Sequence, residues 1–158
     1  MMWAQQKGFT IVELLIVIVV IAILAAITIV AYTGVQDRAN DTTVQSDLAN
    51  FAKKMELLKV DDGRYPNPLT TAMGFSFSRS AYTPDNQGAT LRYCYNSSTD
   101  TYVLMARSKS GDMYKAINGE VTPNGYAHGY SVCSLIGLSS TNPSQNGYNE
   151  PTWAGWVN

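Results

Sequence analysis

At 158 residues the chain has room for one domain and one anchoring segment. Eleven basic residues against 12 acidic ones give a net charge of −1, so no basic surface argues for nucleic acid and no sequence-specific nucleic-acid contact is expected. One histidine and two cysteines cannot supply the usual imidazole–thiolate metal sets, no phosphate-cradling glycine loop follows a strand, and no Gly-x-Ser-x-Gly elbow occurs; the expectation is no enzyme, no metal and no cofactor.

Residues 1–8 are too short and too polar to be structure and read as a targeting segment. After Glu13, the run from Leu14 to Ala31 carries no charge; these 18 residues make a helix of about 27 Å, close to the thickness of a bilayer core. An ordinary secretory signal has a shorter apolar run and a small-residue cleavage site, and Tyr32-Thr33-Gly34-Val35-Gln36 is not one. No cysteine ends the run for lipid attachment. Lys7 and the starting amine are the only positive charge before the span, which places the N terminus in the cytoplasm and the bulk of the chain outside. A lone acid at the start of such a run is disfavoured in lipid without a partner, so the partner of Glu13 is the central question.

Gly8-Phe9-Thr10-Ile11-Val12-Glu13, with its short leader and adjoining apolar run, resembles the N-terminal motif of type IV pilin-like proteins, the class III signal family. The resemblance implies that a membrane aspartic peptidase, the prepilin peptidase, cuts after Gly8 and methylates the new amino terminus on Phe9. Cutting there leaves an amine on Phe9, four residues from Glu13. Glu13 can then pair with its own terminus or with the Phe9 amine of an adjacent subunit; an interfacial Glu13 that merely reaches the headgroups is the plain alternative. A helix-breaking proline is frequent in the apolar half of the family, and this chain lacks one.

Past Gly34 the pattern turns amphipathic: Val44, Leu48, Phe51, Met55 and Leu58 recur at helical spacing, the sign of one buried stripe. Asp41, Gln45, Asp47, Asn50, Lys53, Lys54 and Glu56 are assigned to the opposite, solvent-facing side. No proline falls between Phe9 and Lys59, so one continuous helix is expected, with a break at Gly34 as the alternative. Asp61-Asp62-Gly63-Arg64-Tyr65-Pro66-Asn67-Pro68 ends it. A Gly-Arg-Tyr-Pro run at this place also resembles pilins and the pseudopilins of type II secretion.

Residues 69–88 read as a loop. Strands are expected over Ala89 to Tyr95, Thr101 to Ser108 and Met113 to Asn118, with Asn118-Gly119 as a hairpin turn into a short fourth strand, Glu120 to Thr122. One face of this antiparallel meander should cover the helix stripe. Beyond Pro123 an irregular coil is expected, partly packed through Tyr126, Tyr130, Leu135, Ile136, Leu138, Trp153 and Trp156. The two tryptophans read as packing residues, with an exposed platform for sugar or partner as the alternative. Cys94 and Cys133 both fall outside the membrane, where such a pair is more often bridged than left as two buried thiols. Asp61, Asp62 and Asp100 do not form a calcium loop, and His128 reads as a loop residue.

The expected architecture is therefore an α+β, pilin-like chain: leader 1–8, membrane or filament-core helix 9–34, amphipathic spine 35–60, and a head over 61–158. The expected function is a structural subunit of a type IV pilus-like filament serving adhesion, motility or DNA uptake, a single-pass membrane protein before assembly. Its expected partners are the peptidase, copies of itself, other pilins, and the pilus or type II secretion machinery. A pseudopilin of a secretion or competence system is the alternative within the family; an anchored binding module that never polymerises is the alternative outside it.

Overall fold

The computed structural model describes residues 8–83, 90–123, 129–139, 144–149 and 152–157. Helix α1 runs from Ile11 to Asp62 without interruption, as the absence of proline permits. Gly34 is helical, and a side chain there would meet nothing within 4 Å. The chain divides into two compact units between Gln36 and Asp37. In the first, the apolar side chains of α1 are exposed all round, from Ile11 at 82% to Val35 at 68%. This helix is long and apolar enough to cross a membrane.

In the second unit Val44, Leu48, Phe51 and Met55 of α1 are buried and Leu58 is half-buried, the stripe that the spacing predicts. They pack on an antiparallel sheet built from β1 (Leu91–Asn96), β2 (Thr101–Arg107), β3 (Met113–Ile117), β4 (Glu120–Pro123), β5 (Ser144–Asn149) and β6 (Thr152–Trp153). The strand order is β4-β3-β2-β1-β5-β6. The first four form the expected meander, with Asn118 and Gly119 both at positive φ in the turn between β3 and β4. Ala89, placed at the start of the first strand, lies outside the described residues.

Three features differ from the sequence reading. First, the segment expected as coil adds β5 and β6 to the free edge of β1, with Leu91 opposite Tyr148 and Cys94 opposite Ser144. Pairing an edge strand satisfies backbone groups that would otherwise face solvent, a gain with no local hydrophobic period. Gly147 of β5 is required there: a Cβ would stand 2.5 Å from Leu91 Cδ2 and 2.8 Å from Trp156 Cζ2. Second, the sheet is covered on both faces. Tyr102, Leu104 and Ala106 face α1, while Val103 and Met105 face a 3₁₀ segment, Gly129–Ile136, through Val132, Cys133 and Ile136. Hence β2 is buried almost continuously instead of alternately.

Third, α1 is engaged on two sides. Asp47, assigned to the solvent face, is buried because the segment after the helix folds back over it. Its carboxylate accepts the Ser78 backbone N–H at 2.7 Å and the Tyr82 hydroxyl at 3.0 Å. Burial, and then the neighbouring Asp47 charge, push the Tyr82 phenol well above its ordinary value. Phe75, Phe77 and Tyr82 of this supposed loop are core residues, and Phe51 stacks 4.6 Å from Phe75. Lys54, also assigned outward, donates to the Gly74 carbonyl at 2.8 Å. Trp156 is buried between Phe75 and Phe77, and half-buried Trp153 lies edge-on to Tyr82 with the Arg79 guanidinium 5.2 Å from its ring. Both tryptophans pack internally. Ile136 is buried and Leu135 and Leu138 are half-buried, whereas Tyr126 and His128 lie outside the described residues.

Candidate functional site at the start of the apolar helix

Gly8, Phe9 and Thr10 precede the helix and are exposed, Phe9 at 89%. Thr10 holds the N-cap position, where the first amides of a helix have no intrahelical acceptor. Its hydroxyl oxygen accepts the Glu13 backbone N–H at 3.2 Å. In return Glu13 Oε2 accepts the Thr10 backbone N–H at 2.8 Å and the Thr10 hydroxyl at 2.7 Å. This reciprocal capping box needs Thr or Ser at the cap and Glu or Gln three residues on, and Thr10-x-x-Glu13 supplies both. This neutral partner is a third one beside the amine and the headgroups expected from the sequence, and its Thr-x-x-Glu signature is local.

The cap fixes the carboxylate at the rim of the helix. Both bonds from Thr10 go to Oε2, and among the described residues Oε1 accepts no hydrogen bond. Glu13 also sits in the first turn, where a negative charge is favoured by the aligned peptide dipoles. Further along the stem the Thr28 hydroxyl donates back to the Leu24 carbonyl at 2.6 Å, which keeps that polar group satisfied within the helix. The end of the helix therefore offers one fixed anionic oxygen beside a wholly apolar surface. Among the described residues no group of three or more His, Cys, Asp or Glu side chains converges.

Cys94 and Cys133, the other predicted site pair, are joined as a disulfide across 39 residues, with Cα atoms 5.5 Å apart. The bond staples the 3₁₀ segment to β1 and sits inside the second apolar cluster. Asp61 and Asp62 are exposed at the end of α1, whereas Asp100 pairs with Lys59 at 2.9 Å.

An apolar helical stem with a capped acid at its end, carrying a head in which its own continuation packs on an antiparallel sheet, is the architecture of pilin-like subunits. Residues 3–29 match the model of the prokaryotic N-terminal methylation motif. The chain is 33% identical to the type IV wide pilus major component PilA4 of Thermus thermophilus over 112 residues, 71% of this chain and 81% of that one. It is 31% identical to the narrow pilus major component PilA5 of the same organism over 117 residues, 72% of this chain and 99% of that one. It is 36% identical to the type II secretion system core protein G of Klebsiella michiganensis over 70 residues, 44% of this chain and about half, 47%, of that relative's length. No solved structure matches significantly. The chain belongs to the type IV pilin family.

Proposed function

We propose that this chain is a structural subunit of a type IV pilus-like surface filament, held in the membrane by α1 before assembly and packed through it afterwards. The observation that carries the reading is the stem: a helix exposed all round and apolar throughout, ending in a carboxylate whose Oε1 is open. Prepilin peptidase cuts after Gly8 and methylates Phe9 in this reading, and the N terminus starts in the cytoplasm with the head outside. The Phe9 amine of a neighbouring subunit then meets Glu13 Oε1 while Thr10 keeps Oε2 occupied. An apolar surface of this size is unstable in water and is covered by lipid or by copies of itself. Transfer from one to the other loses little hydrophobic energy, and the charge pair selects the register. Copies of the chain, other pilins and a membrane assembly machine are its partners.

Sheared surface filaments test this directly. Mass spectrometry of their subunit should give a mature chain beginning at methylated Phe9; a chain retaining residues 1–8 in peptidase-positive cells would overturn the reading. The protein G relatives favour a second reading, a pseudopilin of a type II secretion-like system. Deleting the gene separates the two: a filament subunit removes surface fibres, whereas a pseudopilin retains them and blocks secretion.

A further inference from the structure

A groove of about 450 Å³ opens at the end of the head where α1 stops. Its volume lies within the range of about 300–1,000 Å³ typical of small-molecule sites. Pro66, Pro68, Met73 and Tyr95 supply apolar wall, and Asp62, Arg64, Asn67 and Ser97 stand among them. We propose that this groove is a binding site for a neutral hexose unit of a glycan.

Two observations carry the assignment. The wall is pinned. Asp100 accepts the Tyr65 backbone N–H at 3.0 Å, the Tyr95 hydroxyl at 3.1 Å and the Lys59 ammonium at 2.9 Å. The Pro66 carbonyl is held by the Tyr93 hydroxyl at 2.7 Å, and Tyr65 donates its own hydroxyl to Glu56 at 2.6 Å. A ligand therefore meets a surface already ordered, which removes much of the entropy cost of binding. The polar rim, in contrast, is uncommitted: among the described residues the side chains of Asp62, Arg64, Asn67 and Ser97 make no hydrogen bond or ion pair, and all four residues are exposed.

The chemistry of that rim selects the ligand. Asp62 only accepts, Arg64 only donates, and Asn67 and Ser97 do both, so vicinal hydroxyls that each donate and accept find complementary partners. Among the lining residues one carboxylate, Asp62, and one guanidinium, Arg64, cancel, so the groove's own side chains carry no net charge to favour an ionic ligand. The C–H face of a pyranose is apolar and matches proline and tyrosine faces. The tryptophans, the more obvious platform in the sequence, are packed internally.

The test uses the full-length chain in lauryldimethylamine oxide micelles, a detergent without sugar, with lactose, maltotriose and chitotriose as probes in saturation-transfer NMR. At least one should receive saturation, and Arg64→Ala and Asn67→Ala should each weaken its binding about tenfold or more by leaving hydroxyls unpaired. Both side chains are exposed and without hydrogen bonds, so the thermal midpoint should not move. Lys109→Ala, on the β2–β3 turn, should leave binding intact. Absence of saturation transfer to all three sugars, or equal binding by both groove variants, overturns the proposal.

Discussion

Asp100 Oδ1 accepts the backbone N–H of Tyr65 at 3.0 Å, joining the turn between β1 and β2 to the chain just after α1 across 35 residues. The same carboxylate takes Lys59 from the last turn of the helix and the hydroxyl of Tyr95 from β1. One side chain thus locks the helix terminus, the exit loop and the sheet together. Asp100 adopts φ 48°, a left-handed conformation that Asp and Asn tolerate better than most residues.

Asp100→Asn keeps that backbone preference and one acceptor but removes the charge. It should lower head stability by about 1 kcal/mol, read as a reduced midpoint in chemical unfolding of the full chain. The hydrogen bond from Lys59 first, and then those from Tyr65 and Tyr95, hold the Asp100 carboxyl below its ordinary value. A depressed folded value means that its stabilisation is present above the ordinary aspartate range and is lost as pH falls through the folded value. Unfolding midpoints measured from pH 6 downward should decline for the parent at acid pH, with a shallower decline for Asp100→Asn.

Glu13→Gln separates the cap from the charge. Glutamine at this position still completes a capping box with Thr10, so the start of α1 should remain helical. If the proposed pairing with the Phe9 amine drives assembly, removing the carboxylate should collapse sheared filament yield, for Glu13→Gln as for Glu13→Ala. Equal filament yield for Glu13→Gln and the parent would show that the cap, not the charge, is what assembly needs.

Gly34→Ala should tighten the stem. A Cβ there meets nothing within 4 Å, and alanine is favoured over glycine in a helix interior by about 1 kcal/mol. Amide exchange around residue 34 should slow about fivefold, measured by mass spectrometry on the full chain in micelles.

Gly147→Ala should do the opposite in the head. Its Cβ would fall inside contact distance of both Leu91 and Trp156, and overpacking of this kind costs about 1–3 kcal/mol. The loss should appear as a lower thermal midpoint with the 3₁₀ segment still stapled.

Replacing both Cys94 and Cys133 by alanine should remove about 4 kcal/mol in the chain-entropy treatment, since the bond closes a 39-residue separation. Thermal unfolding with and without reductant checks this on the parent chain; the double variant should be insensitive to reductant.

Local chemistry was legible wherever a period or a short motif was sufficient. The uncharged run from Leu14 to Ala31 and the stripe Val44–Leu48–Phe51–Met55 repeat at fixed spacing, and proline absence permits their union in α1. Asn118-Gly119 demands positive φ at both residues and so announces its hairpin. The Thr10–Glu13 box is equally local, four residues with their own donors and acceptors. None of these needs a distant partner.

Tertiary structure decided whatever depended on meeting across the chain. Asp47 looked like a solvent-facing charge because its helix position is polar, and only Ser78 and Tyr82 folding back over it make burial affordable. The glycine-rich tail has no strand period, yet the unpaired edge of β1 recruits Ser144–Asn149, because backbone hydrogen bonds carry no side-chain signature. Local spacing is printed in the order of residues; a partner 31 or 50 positions away is chosen by closure of the whole head. The amino-acid order by itself thus determined the stem, its acid and the meander, while three-dimensional packing alone decided the second core, the completed sheet and the pinned groove.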